Sequence, residues 1–155
     1  MHTENNVEQI IQKFHDRTLP KSEWTHLAHL ITGLDAVLKH DLEGSIAVMR
    51  EGIKGYNKAV GTVNGDHSGY HETITIFFCH ALKTFVARHA DTTAFSSWVD
   101  LLQNSSLVQE PFMFHFYSKK RLFSVEARRS WVKPDLYDLD DLDYVLFRAD
   151  KTQAD

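Results

Sequence analysis

A chain of 155 residues suits one domain, 1–155, that is large enough to bury a core without disulfides. The formal net charge of −4 argues against nucleic acid or an anionic membrane as a partner, and the single cysteine, Cys79, excludes an intrachain disulfide and a cysteine zinc cluster. No apolar run approaches the roughly 20 residues of a membrane span. We therefore expect a cytoplasmic protein, and the sequence leaves its oligomeric state, a homodimer included, open.

Hydrophobic periodicity predicts helices almost throughout the chain. Four of them are expected in the first part, over about 5–16, 20–40, 42–59 and 70–89, with a glycine-rich loop before the last. Two or three shorter helices then cover about 92–132, and about 135–155 form an acidic tail that either docks as a last turn or is mobile. The expected fold class is all-α, a four-helix up-and-down bundle core with additional short C-terminal helices.

Two short polar clusters lie where strongly apolar helices are expected to begin. The first covers residues 23–29 (EWTHLAH) and the second covers 69–73 (GYHET). Helix starts favour Ser, Thr, Asp or Asn as caps, so histidines and a glutamate there point to a functional site. At 100° per residue, Glu23 and His71 project onto the apolar stripes of their helices, and His26 lies at the edge of one. Polar groups on core-facing stripes are costly unless they are paired or metal-bound.

Helix connectivity predicts that the two clusters meet. Short connections make neighbouring helices antiparallel, so the second and fourth helices should begin at the same end of the bundle. Glu23, His26 and His71 would then lie at one level. The end of the third helix, with Tyr56 and Asn57, and the glycine-rich loop are expected to arrive at the same place. The sequence therefore predicts a shared site lined by these residues.

The residue types in this site are typical of metal ligands. Glu23 and His26 have the i, i+3 spacing that helical bundles use for carboxylate–histidine ligation. With His71 they would form a mononuclear site for a divalent metal, and this ligand set does not discriminate among iron, manganese and zinc. Glu72 is a candidate fourth ligand, general base or orienting partner, and Tyr70 is a candidate proton donor. Helix capping, helix-dipole interactions and ordinary packing remain the alternative explanation for all of them.

A basic segment follows in the C-terminal part of this otherwise acidic chain. Residues 117–133 contain six basic side chains against the single acid Glu126. A solvated helix face, or a partner for the acidic tail, is the simpler explanation. The functional alternative is that Arg121 and Arg128, assisted by Ser118, hold a carboxylate or phosphate of a substrate.

Four strings carry a resemblance to other proteins: LPKSEWTHLAHL at 19–30, REGIKGYNKAVG at 50–61, GYHET at 69–73, and the pattern Y-S-x-x-R-L-x-S-x-x-A-R from residue 117. Over roughly 18–136 the chain resembles a group of small bacterial helical proteins with these signatures in this order. This resemblance supports the choice of motif residues and implies no substrate. At fold level the chain is also similar to helical-bundle metalloproteins of the DinB type, which use a histidine triad at one bundle end. That likeness implies His29, instead of Glu23, as the third ligand.

The leading hypothesis is a small cytoplasmic metal-dependent enzyme, an oxidoreductase or a hydrolase. Its metal would activate water or dioxygen against a small anionic organic substrate. One alternative is a non-enzymatic helical module that binds a metal, a small ligand or a partner protein. Two others are a purely structural role for the histidines and a metal-free acid–base enzyme that uses His71 and Glu72.

Overall fold

The computed structural model describes residues 4–146, and all regular elements within this range are helical. The α-helices with both ends described are α1 (Glu4–His15), α2 (His26–Lys39), α3 (Leu42–Ala59), α4 (Glu72–Arg88), α5 (Phe95–Gln103), α6 (Lys119–Leu122) and α7 (Val125–Arg129), and residues 142–146 are helical as well. Short 3₁₀ helices cover Lys21–Glu23, Ser106–Val108, Glu110–His115 and Leu139–Asp141. The all-α class is thus confirmed. Within the described range, no helix combines the length and the apolar character needed to cross a membrane.

The first four helices pack against one another around two apolar clusters. Helix α2 contacts α1, α3 and α4, and α3 contacts both α1 and α4. The smaller cluster lies among α1, α2 and α3 and includes the buried rings of Phe14 and Tyr56. The larger cluster joins α2, α4 and α5 to the C-terminal segments, and Phe77 and Phe85 lie within it. The up-and-down order of a four-helix bundle stays a prediction.

The second helix starts later than the sequence pattern predicts. A 3₁₀ helix at Lys21–Glu23 is followed by two non-helical residues, and α2 begins at His26. The hydroxyl of Thr25 caps α2 by accepting a hydrogen bond from the backbone N–H of Ala28 at 3.2 Å. A capping residue has non-helical backbone angles, so it separates what precedes it from the helix. Glu23 is therefore not part of α2, and the prediction that it projects onto the apolar stripe of this helix is wrong.

The apolar stripe of α4 divides into a packed part and an open part. Leu82 and Phe85 are fully buried, as is Phe77 on a neighbouring face. Ile74 and Phe78 belong to the same predicted stripe but are only partly buried. They pack at the edge of the larger cluster and line a cavity. Periodicity thus identifies the apolar face of α4, and the structure shows that part of this face borders open space.

The first part of the predicted acidic tail docks onto the helices. Asp135 accepts hydrogen bonds from the backbone N–H of Ser118 at 2.8 Å and from its hydroxyl at 2.6 Å. Further along, Leu142, Val145 and Leu146 are buried in the larger apolar cluster. The remainder of the predicted tail, 147–155, lies outside the described residues.

Candidate functional site

A cavity of about 330 Å³ lies between α2, α3 and α4, and we refer to it as the apolar cavity. Its polar wall residues are His26, His29, Thr75 and Cys79. The rest of the wall is apolar and comes from all three helices, namely Leu30, Gly33, Met49, Ile53, Ile74, Phe78 and Leu82. Concave, mainly apolar spaces of this size, with a few polar groups, are typical of small-molecule sites.

A second space of about 350 Å³, the motif cavity, adjoins the apolar cavity. The two cavities share part of their walls, because His29, Ile53, Ile74 and Thr75 line both. The other residues around the motif cavity are Lys21, Trp24, Asn57, Thr62, Gly69, Tyr70 and His71. Residues from both polar clusters, from the end of α3 and from the glycine-rich loop therefore surround one space.

The two histidines of the first cluster each keep one ring nitrogen free for a ligand. The Nδ1 of His29 donates to the carbonyl oxygen of Thr25 at 2.8 Å, and the Nε2 of His26 donates to that of Leu107 at 3.1 Å. A carbonyl oxygen can only accept, so the proton of each neutral ring lies on the bonded nitrogen. Nε2 of His29 and Nδ1 of His26 remain as acceptors.

The environment of His29 keeps its ring neutral. The indole of Trp24 covers it, with 3.7 Å between the ring centroids. Burial, and to a smaller extent the nearby His26, lowers the pKa of His29 from 6.5 to about 4, although the hydrogen bond to Thr25 acts in the opposite direction. His29 is therefore a hydrogen-bond acceptor at neutral pH.

His71, in the second cluster, uses both of its ring nitrogens. It is only 7% exposed and forms the N-cap of α4, where Nδ1 accepts the backbone N–H of Ile74 at 3.2 Å. Its Nε2 donates to the carbonyl oxygen of Leu122, at the end of α6, at 2.8 Å. Burial lowers the pKa of His71, with Arg128 contributing in the same direction. His71 is thus a neutral bridge between α4 and α6 with no nitrogen left for a metal.

Glu72 and Tyr70 are also engaged. Arg50 forms a two-pronged ion pair with Glu72, with Nε 3.0 Å from Oε1 and Nη2 3.1 Å from Oε2. The hydroxyl of Tyr70 donates to Oε1 at 2.6 Å. Burial acts to raise the pKa of Glu72, but the hydrogen bonds from Arg50 and Tyr70 outweigh it and the pKa is lowered. Burial and the Glu72 carboxylate raise the pKa of Tyr70. Glu72 is a fixed carboxylate in this arrangement.

The remaining predicted ligand lies apart from the histidines. Glu23 is exposed on its 3₁₀ helix and is in the wall of neither cavity. Within the described range, no group of three or more His, Cys, Asp or Glu residues could hold a metal ion. Glu23, His26, His71, His29 and Glu72 do not form such a group in this arrangement, so the metal site stays a prediction and we derive no metal chemistry from it.

Tyr56 and Asn57, the predicted lining residues of α3, differ in position. Tyr56 is fully buried, and its hydroxyl donates to the carbonyl oxygen of Leu19 at 2.9 Å. Asn57 lines the motif cavity and donates from its amide to the side-chain oxygen of Asn64 at 3.0 Å. Tyr56 thus supports the smaller apolar cluster, and only Asn57 lies at the candidate site.

The predicted anion-binding residues separate into two places. Ser118 caps α6, and Nε of Arg121 donates to the carbonyl oxygen of Lys133 at 2.5 Å, so both fasten the C-terminal segment. Arg128 instead extends to the second cluster, where Nη1 donates to the carbonyl oxygen of Gly69 at 2.9 Å. Of these three residues, only Arg128 lies beside the motif residues.

The loop before α4 is closed by Asn64, a residue that sequence reasoning missed. Its side-chain oxygen accepts from the amide of Asn57 and from the backbone N–H of Tyr70, each at 3.0 Å, and its own amide donates to the carbonyl oxygen of Lys54 at 3.1 Å. Gly69 closes the same loop with φ +77°, and a Cβ there would lie 2.4 Å from a backbone oxygen. An Asn in a glycine-rich segment is the signal that could have identified this turn.

Sequence reasoning also missed the partners of the motif residues on α3. Arg50 and Lys54 lie one turn apart on α3, which places them on one face of the helix. Lys54, together with Tyr70 and Glu72 of the second cluster, lines a polar cleft of about 250 Å³, and Arg50 reaches this cleft only through its ion pair with Glu72. No family model, curated protein or solved structure matches this chain. The resemblance drawn from the four strings therefore stays an expectation, and function has to be argued from geometry.

Proposed function

We propose that this protein is a helical module that binds a small, mainly apolar molecule in the apolar cavity between α2, α3 and α4. The observation that carries the proposal is the cavity itself, about 330 Å³ with apolar walls and two histidines that each keep an acceptor nitrogen. An apolar cavity of about 150 Å³ accommodates benzene. A bicyclic aromatic molecule, of the size of naphthalene, is therefore a suitable ligand.

The histidines define the polar part of this ligand. His29 is neutral at neutral pH and its Nδ1 proton is already bound to Thr25, so Nε2 offers a lone pair and no proton. A ligand with one O–H or N–H group would satisfy it. Burying a donor without a partner is costly, so this contact would also select against ligands of the wrong polarity.

The state of the reactive groups favours binding over turnover. Burial raises the pKa of the Cys79 thiol to about 12, so the thiolate nucleophile is scarce at neutral pH. Glu72 is held in its ion pair with Arg50, and both nitrogens of His71 are hydrogen-bonded. The two residues of the predicted acid–base pair, His71 and Glu72, are therefore engaged, and the Cys79 thiol is protonated.

The metal-dependent enzyme remains a second hypothesis, with its site at the end of an up-and-down bundle where the two polar clusters lie. It is supported by the free ring nitrogens of His26 and His29, because imidazole nitrogen is a common ligand of transition metals. Elemental analysis of the purified protein, beside the His26→Ala and His29→Ala variants, distinguishes the two. Near-stoichiometric iron, manganese or zinc that both variants lose would support the metal site. Absence of metal after reconstitution would leave the binding module as the better hypothesis.

The binding proposal is tested by calorimetric titration with 2-naphthol and with naphthalene. We expect both to bind and 2-naphthol to bind about fivefold more tightly, since one hydrogen bond contributes about 1 kcal/mol. In the His29→Phe variant, which keeps an aromatic ring beside Trp24, this preference should disappear. Because Cys79 is the only cysteine and lines the cavity, the ligand should also slow its modification by a thiol reagent.

A pair of variants on α3 provides the control. Ile53→Phe adds volume in the wall of both cavities, and Ile46→Phe makes the same change at a partly buried position outside them. Binding and protection of Cys79 should be lost in the first variant and kept in the second. If neither compound binds or protects Cys79 at its solubility limit, the proposal is wrong.

A further inference from the structure

The polar cleft beside Tyr70 contains two carboxylates, and each of them is neutralised by an arginine. Glu72 is paired with Arg50 on α3. Asp66, in the loop, forms a two-pronged pair with Arg129 of α7, with Nε 2.7 Å from Oδ1 and Nη2 2.6 Å from Oδ2. The negative charge of the cleft is therefore already compensated by these two pairs.

Two further cations border the cleft, Lys54 of α3 and Arg128 of α7. The Nζ of Lys54 lies 5.1 Å from the centroid of the Tyr70 ring in a cation–π contact, and its charge helps to lower the pKa of Glu72 without forming an ion pair. Arg128 is half-buried and donates through Nη1 to the carbonyl oxygens of Gly69 at 2.9 Å and Tyr70 at 3.4 Å. Among the described residues, neither cation lies within ion-pair distance of a carboxylate. With Arg50 counted through its ion pair, four positive charges thus stand against two negative ones at the cleft, in a chain with a net charge of −4.

We propose that this cleft binds a phosphate monoester dianion, with Arg128 and Lys54 as its two cationic ligands. Two cations outside any ion pair match a dianion, whereas a single carboxylate would pair with only one of them. The carbonyl contacts of Nη1 hold the guanidinium of Arg128 in place, so its other N–H groups are preorganised for forked hydrogen bonds to phosphate oxygens. Lys54 is exposed and supplies a mobile point charge at the mouth of the cleft.

This site is separate from the proposed ligand cavity. Lys54 and Arg128 line the polar cleft and belong to the wall of neither the apolar cavity nor the motif cavity. Tyr70 is shared, since it lines both the cleft and the motif cavity. A failure of phosphate binding would therefore leave the proposal for the apolar cavity untouched, and the converse also holds.

The test is a calorimetric titration with methyl phosphate at constant ionic strength, beside acetate as a monoanion. At pH 7.5 we expect methyl phosphate to bind and acetate to bind at least about fivefold more weakly. At pH 5 the phosphate ester is mainly a monoanion, because its second pKa is about 6, so its affinity should fall toward that of acetate. Equal affinities for the two compounds at pH 7.5, or no detectable binding of methyl phosphate, would overturn the proposal.

Two matched lysine variants locate the site. Lys54→Gln removes one proposed ligand, and Lys58→Gln removes the same charge from an exposed position one turn further along α3, outside the cleft. We expect the first to weaken methyl phosphate binding about fivefold or more and the second to leave it unchanged. Arg128→Lys, which keeps the charge but removes the fork, should weaken binding about tenfold in protein whose helix content is unchanged by circular dichroism. Equal effects of the two lysine variants would also overturn the assignment.

Discussion

The two polar clusters have the same appearance in sequence but differ in structure. In the first, His26 and His29 each have one ring nitrogen bound to a carbonyl oxygen and the other nitrogen free. In the second, His71 uses both nitrogens and Glu72 is held by Arg50 and Tyr70. A histidine near the start of an apolar helix can therefore either join structural elements through both ring nitrogens or keep one nitrogen free as a hydrogen-bond acceptor beside a cavity.

This difference separates stability from binding. Changes in the second cluster should lower the free energy of unfolding, because its side chains join α3, α4, α6 and the preceding loop. Changes in the first cluster should affect ligand binding and pH dependence, with smaller effects on stability at neutral pH. A larger loss of stability from changes in the first cluster than from changes in the second would contradict this assignment.

The largest effect is expected for Gly69→Ala. The backbone at Gly69 has φ +77°, and a Cβ would lie 2.4 Å from the carbonyl oxygen of Val63, which belongs to the backbone and cannot rotate away. Left-handed backbone angles alone cost a non-glycine residue about 1–2 kcal/mol. With the steric clash added, we expect a loss of about 3 kcal/mol in the free energy of unfolding, measured by denaturant titration.

Two other glycines provide the controls for this substitution. Gly61 also has a positive φ, +81°, but a Cβ there would meet no atom within 4 Å, so Gly61→Ala should cost only about 1 kcal/mol of backbone strain. At Gly65 the nearest atom would be 3.8 Å away and φ is ordinary, so Gly65→Ala should change stability by less than about 0.5 kcal/mol. Equal losses at Gly65 and Gly69 would contradict the proposed role of the loop.

The next effect is expected for His71→Ala. This change removes the N-cap of α4 and leaves the carbonyl oxygen of Leu122 without its donor, so the free energy of unfolding should fall by about 2 kcal/mol. His71→Asn restores a capping side chain and should recover about half of the loss. An alanine variant as stable as the wild type, but altered in metal content, would favour the metal-site hypothesis over the structural role.

Local signals in the sequence were sufficient for much of the helical framework. The predicted helix at 42–59 coincides with α3 (Leu42–Ala59), which begins after a capping Asp41, and α7 likewise begins after a capping Ser124. Such starts depend on residues within one turn, so spacing and cap chemistry identify them. The predicted start of α2 is wrong because Lys21–Glu23 forms a separate 3₁₀ helix before the capping residue.

The candidate site was only partly accessible to such reasoning. His71 was excluded as a cap on residue preferences, yet its Nδ1 accepts the N–H of Ile74 as an aspartate oxygen would. Ile74 and Phe78 were interpreted as core because periodicity reports an apolar face and not whether the facing space is filled. The Arg50–Glu72 pair depends on how α3 packs on α4, across 22 residues of sequence, and no local pattern specifies it.

The smallest effect on stability at neutral pH is expected for His29→Phe, which keeps a ring against Trp24. The pKa of His29 is about 4 in the folded protein and 6.5 as a model value, so the wild type gains stability from the neutral ring above pH 6.5 and loses it as the pH falls toward 4. Because the ring is half-buried, we expect this loss to be about 2 kcal/mol, less than the full pKa difference implies. The variant should lack this part of the acid dependence.

Denaturant titrations of the wild type and His29→Phe at pH 7, 5.5 and 4.5 test this prediction. Other groups also titrate in this range, so the informative quantity is the difference between the two proteins at each pH. That difference should shift in favour of the variant as the pH falls. His40→Phe, at an exposed position, should retain the wild-type slope. If the free energy of unfolding of His29→Phe falls with pH as steeply as that of the wild type, burial does not keep the His29 ring neutral. Its assignment as a proton-free acceptor for the cavity ligand would then be wrong.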